Sequence, residues 1–164
     1  MKATLASAIL FLLIMSQCAK AETMPESHVR YLLGVAVTLS GYDMPSHKPP
    51  TVIEINSSQM HEQACDDSDP GCMDTIGYYD GGEELWVDVE YARANADTTD
   101  QDAIVVHELT HWLQAREGRG VIGFGPACTR SNAREVEAYH VEERFIREYQ
   151  HKHVRLTPNL ETCK

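Results

Sequence analysis

The sequence predicts a small α+β domain, and three observations predict it. Apolar residues recur with a helical period in residues 29–39, and helical patterning returns over residues 100–117 and 131–151. Two short β-type runs flank Asp80-Gly81-Gly82. The chain has 164 residues, 43% hydrophobic and 24% charged, which is enough for one core and for no more than one domain. The formal net charge is −11. A phosphate backbone calls for a basic footprint, so this balance argues against nucleic acid and anionic membranes as partners.

Residues 1–21 read as a signal peptide. Lys2 is the positive start, residues 3–15 are almost wholly apolar, and Ala19-Lys20-Ala21 places small residues at the cleavage site. The apolar stretch is shorter than the ~20 residues a spanning helix needs. The expected mature domain is therefore residues 22–164, secreted or periplasmic. A lipid anchor on Cys18 is disfavoured, because Gln17 stands where such sites want a small residue. Signal removal leaves Cys65, Cys72, Cys128 and Cys163, an even set suited to disulfides. The expected pairs are Cys65–Cys72, closing a short acidic loop, and then Cys128–Cys163.

Each element has its own signal. Val29, Leu32, Leu33, Ala36 and Leu39 form the stripe of an amphipathic helix that opens near Pro25 and closes at Gly41. Three prolines make residues 42–50 a loop, and residues 51–56 alternate as a strand. Residues 57–64 suit a short helix. Asp66-Asp67-Ser68-Asp69-Pro70-Gly71 is a turn cluster whose spacing does not match a calcium loop. Residues 75–79 and 84–89 form a hairpin around Asp-Gly-Gly. Residues 92–99 are small and polar and read as a loop. A helix follows over residues 100–117, capped by Thr99 or Asp100 and ended by Gly118. Residues 118–130 hold four glycines and Pro126, as a connector or a cleft wall. Ser131 or Asn132 then caps a last helix that runs to about His151.

His107-Glu108-Leu109-Thr110-His111 lies inside the helix of residues 100–117. Residues i and i+4 share one helical face, so both imidazoles can reach one metal ion. Glu108, beside them, can take a proton from a metal-activated water, because zinc lowers the water's pKa toward ~7. Val105, Val106, Leu109, Trp112 and Leu113 leave the motif without charged neighbours, which a solvated helix would normally carry. Catalytic zinc usually takes a third protein ligand. At about 100° per residue, Glu135 falls among Ala138, Tyr139, Phe145, Ile146 and Tyr149, whereas Glu137 falls on the opposite, solvated side. A carboxylate inside an apolar stripe must be paired or metal-bound. Glu135 is thus the expected third ligand and Glu137 a surface charge. Glu142 shares the buried face, as a hydrogen-bond partner for a ligating His, a substitute ligand, or a rim residue paired with Arg. Tyr139 is either a donor to a developing oxyanion or a core aromatic with its hydroxyl in solvent.

These residues resemble the gluzincins, zinc metallopeptidases with His-Glu-x-x-His on one helix and Glu on the next. More narrowly, His107-Glu-Leu-Thr-His-Trp-Leu-Gln114 with Glu135-x-Glu-Ala-Tyr139 is similar to a family of small exported bacterial proteins of unassigned function, over about residues 72–146. The resemblance implies a small antiparallel or mixed sheet packed beside the two zinc-bearing helices. It also implies a sheet edge along the cleft, for which residues 84–88 are the candidate. Tyr139 stands where many such enzymes carry an Asp that supports a zinc-binding His, and Glu142 is the candidate replacement. The expected activity is a zinc-dependent hydrolase acting on a peptide or protein substrate. Zinc is bound by His107, His111 and Glu135, and Glu108 and Tyr139 are the catalytic candidates. The alternatives are a non-catalytic zinc-binding envelope protein that binds a partner, and an exported metal buffer.

Overall fold

The structure is a computed structural model and describes residues 21–65, 75–97, 100–117, 127–158 and 160. Residues 1–20 of the expected signal peptide, the acidic turn cluster and residues 118–126 of the glycine-rich connector lie outside the described residues. So do Cys72 and Cys163. Cys65 is disulfide-bonded, and its expected pairing with Cys72 lies outside the described residues.

The fold is α+β, as the patterning predicts. In chain order it comprises β1 (Glu22–Thr23), α1 (Glu26–Ser40), β2 (Thr51–Ile55), α2 (Ser57–Ala64), β3 (Gly77–Tyr79), β4 (Glu84–Asp88), α3 (Val89–Ala94), α4 (Gln101–Glu117) and α5 (Ala127–Tyr149). The sheet is mixed, in the order β1-β2-β4-β3. β2 and β4 pair in parallel, with Val52 opposite Leu85, and the two flanking pairs are antiparallel.

Local chemistry sets the ends of these elements. α1 stops at Gly41, which takes the left-handed φ of 76° and donates its N–H to Val37. Asn56 and Gln59 cap α2 reciprocally, each side chain accepting from the other's backbone N–H. Asp80 accepts from Gly82 N at 2.7 Å and closes the β3–β4 turn, with Gly81 at φ 92°. Asp100 accepts from Ala103 N at 3.1 Å and opens α4. His151 adopts the left-handed φ of 57°, and Lys152 N donates back to Ile146 O at 3.2 Å where α5 ends.

The core explains why α4 carries almost no polar face. Leu32, Leu33 and Ala36 of α1, Leu85 and Val87 of β4, and Val141, Phe145 and Ile146 of α5 enclose Val105, Val106, Leu109, Trp112 and Leu113. A helix surrounded on most sides is apolar on most sides. On the other sheet face Ile55 and Trp86 cluster with Met60 of α2. Among the described residues no helix is long and apolar enough to cross a membrane.

Four expectations need correction. Residues 89–94 form helix α3, because Asp88 accepts from Glu90 N and Tyr91 N at 2.9 Å and starts a turn that small residues continue. Strand β4 is interior, lying between β2 and β3, so it cannot be the sheet edge along a cleft. α5 begins at Ala127, ahead of Ser131, and ends at Tyr149. Tyr149 stacks on Phe145 at the helix surface and is 40% exposed instead of buried.

Candidate metal centre

The centre forms where α4 and α5 pack together. His107 and His111 lie one turn apart on α4 and point at α5, which answers with Glu135. The two Nε2 atoms stand 3.1 Å apart. Glu135 Oε1 lies 3.2 Å from His111 Nε2, and Oε2 lies 3.6 Å from His107 Nε2. An ion with tetrahedral bonds of ~2.0–2.1 Å spaces its ligand atoms about 3.3 Å apart. The separations of 3.1, 3.2 and 3.6 Å lie close to that spacing, reached through both oxygens of Glu135, and the set offers two imidazole nitrogens and one carboxylate. His107, His111 and Glu135 could hold a metal ion.

The groups around these donors were only partly foreseen. Glu142 is buried and meets His107 Nδ1 at 3.0 Å, taking the supporting place weighed for it. Tyr139 packs its ring edge-on against His107, with centroids 4.6 Å apart at 77°. Ala138 is fully buried where α4 and α5 meet. Glu137 is not a solvated charge. Its Oε2 accepts from Gln114 Nε2 at 2.9 Å and from Tyr42 O–H at 2.9 Å. The helical wheel misplaced it because α1 and the chain leaving it cover that flank of α5.

Glu108 is buried beside the imidazoles and faces the sheet, not solvent. A Cβ built on Gly77 of β3 would meet Glu108 Oε1 at 2.5 Å and Ile104 Cγ2 at 2.9 Å. Strand β3 thus reaches the carboxyl group only because residue 77 has no side chain. The sheet edge beside the centre is therefore β3, where residues 84–88 had been expected.

The charges in this cluster bias one another. Burial works to lower the His107 imidazole. Hydrogen bonds to Glu135 and Glu142, with the charges of Glu108 and Glu142, outweigh it and push it up to about 10. Burial works to raise Glu135, but the two imidazoles hold it well below the usual carboxylate range. Burial raises Glu108, against the pull of the same imidazoles. Tyr139 is pushed up to about 12 by burial and then by Glu142, Glu135 and Glu108, so its phenol keeps its proton at neutral pH. Protons and a dication compete for the same nitrogen atoms.

Gln114, Gly77 and Tyr42 were not foreseen as parts of this centre. Gln114 follows His111 by three residues, a spacing that puts both on one face and could have flagged it. Gly77 and Tyr42 arrive from distant parts of the chain and leave no local signal. No protein-family model matches this chain, and comparisons with curated proteins and with solved structures returned no match. The chemistry of the centre therefore follows from its own side chains.

Proposed function

We propose that this chain is an exported zinc-dependent hydrolase, acting on peptide bonds. The observation that carries the proposal is a cluster of three donors close enough to share one ion and a buried carboxylate beside it, Glu108, that is not one of the donors. A site that only held a metal would not need Glu108. His107, His111 and Glu135 bind the ion, which supplies Lewis acidity when bound, acidifying water and polarising a carbonyl.

The chain's own residues do the rest. Glu108 takes one proton from the attacking water at its carboxylate. The water oxygen joins the carbonyl carbon, the C–N bond breaks, and Glu108 returns the proton to the leaving nitrogen. Burial, which raises this carboxyl group, improves it as a proton carrier near neutral pH. Tyr139, still protonated, donates its O–H to the developing oxyanion. The N-terminal residues 1–21 support export, and the acidic balance disfavours nucleic acid.

The test is metal content and turnover of the purified chain. Wild type should hold one zinc per chain, Glu135→Ala should lose it, and Glu137→Ala should keep most of it. Glu108→Gln should keep zinc and lose at least about 10²-fold in hydrolysis of a mixed peptide pool. Equal zinc loss in Glu135→Ala and Glu137→Ala would overturn the ligand set. Zinc with no turnover in wild type would leave a non-catalytic zinc protein.

A further inference from the structure

We propose that Gln114 is a positioning residue that fixes the tautomer and rotation of His111, through an amide locked from behind by Glu137 and Tyr42. The metal-binding consequence rests on the zinc reading above, whereas the tautomer itself does not.

A glutamine amide can face a neighbour with its oxygen or its nitrogen. Here the choice is forced. Gln114 Nε2 lies 3.1 Å from the Arg134 carbonyl oxygen and 2.9 Å from Glu137 Oε2. Both can only accept, so the NH₂ group must point at them. Oε1 is then left facing His111 Nδ1 at 2.8 Å. An amide oxygen has no proton, so His111 must donate from Nδ1. In the neutral ring this leaves the lone pair on Nε2, the nitrogen that faces Glu135 and His107. Glu137 is held in turn by the Tyr42 hydroxyl.

Gln114 is 1% exposed, so water cannot readily replace it. The residue type matters as well as the position. A leucine would leave Nδ1–H unpaired in the interior and free the ring to flip. A glutamate would set two carboxylates face to face with Glu137.

The test uses the full mature chain with two readouts. On chain stripped of metal, nitrogen-15 spectra of the histidine rings should show His111 as the Nδ1–H tautomer. Gln114→Leu should mix the two tautomers. Zinc affinity, measured by competition with a chromogenic chelator, should fall about 10–100-fold in Gln114→Leu. Gln114→Glu alone should also weaken binding. The pair Gln114→Glu/Glu137→Gln should bind zinc more tightly than Gln114→Glu alone but less tightly than wild type, because the carboxylate accepts from His111 and the amide behind it donates, while the Arg134 carbonyl loses its donor. That rescue also decides the matter if Gln114→Leu fails to fold. A wild-type His111 in the Nε2–H form would overturn the proposal. So would an unchanged tautomer and affinity in Gln114→Leu, or no rescue by the pair. A wild-type chain that binds no zinc would instead sink the metal reading, and the spectra would still decide the role of Gln114.

Discussion

The two imidazoles of the centre face Glu135 alike and are backed in opposite ways. His107 is buried against a carboxylate, Glu142, that is itself only 3% exposed. His111 is half-buried and rests on a neutral amide. The difference is one of charge and not of depth, since Gln114 is as deeply buried as Glu142. A charge that far inside needs an opposite charge, and Glu142 with His107 meets that need within one pair. An amide carries no charge to neutralise, but both its ends must be satisfied. Hence the His111 side recruits Gln114, Glu137 and Tyr42, where the His107 side needs one residue.

The largest effect should come from breaking the charged side. Glu142→Leu leaves the His107 N–H unpaired in the core. Zinc affinity should fall by about 100-fold, and stability by ~1–3 kcal/mol, both more than for Gln114→Leu. Chelator competition and thermal unfolding measure the two quantities. Equal losses on the two sides would erase the distinction between charged and neutral backing.

Gly77→Ala tests the proposed proton carrier, Glu108, without replacing either imidazole. The added methyl would sit 2.5 Å from Glu108 Oε1 and 2.9 Å from Ile104 Cγ2, so the carboxyl group must move. Turnover should drop about 10–100-fold while zinc stoichiometry stays at one. Unfolding should show a cost of ~1–3 kcal/mol from overpacking. Loss of zinc in this variant would mean that β3 supports the ligands themselves.

A pH series sharpens the comparison further. The His107 imidazole is raised to about 10, so at neutral pH the stripped chain holds a proton there that the metal must displace. Zinc affinity should therefore rise about tenfold per pH unit from pH 7 to 8. The same raised value stabilises the stripped chain below pH 6.5, and that contribution is lost as pH climbs through about 10. Glu142→Gln removes one of the causes, so the dependence of affinity on pH should flatten. An unchanged slope would show that Glu142 does not set the charge of His107.

Much of this arrangement was legible in residue spacing, and the rest was not, for identifiable reasons. The i, i+4 histidines and the apolar surroundings of Leu109 marked α4, and the stripe through Ala138, Phe145 and Ile146 turned Glu135 toward it. Those signals are local and periodic. Glu137 was misjudged because a wheel sees one helix, whereas Tyr42 covers its flank from the end of α1. Gly77 was unreadable because its reason is a carboxyl group that lies far along the chain. Strand β1 is two residues long, too short for any alternation to show. Helix α3 was hidden because Val89 reads as the end of a strand and residues 92–99 as a polar loop, and six residues are too few for a helical period to show.

The smallest effect should come from the outermost member of the neutral side. Tyr42→Phe removes only the hydroxyl that holds Glu137 Oε2, while Gln114 Nε2 keeps its bonds to that oxygen and to the Arg134 carbonyl. The amide should stay oriented, so His111 should keep its tautomer and zinc affinity should change by less than about threefold. Stability should fall by ~0.5–1.5 kcal/mol, the ordinary net worth of one hydrogen bond. Among the described residues the Glu142 side shows no such outer member, so it offers no equally mild variant there. If Tyr42→Phe weakens zinc as much as Gln114→Leu, the amide is not oriented by its own two acceptors, and the hydroxyl of Tyr42 is what holds that side of the centre together.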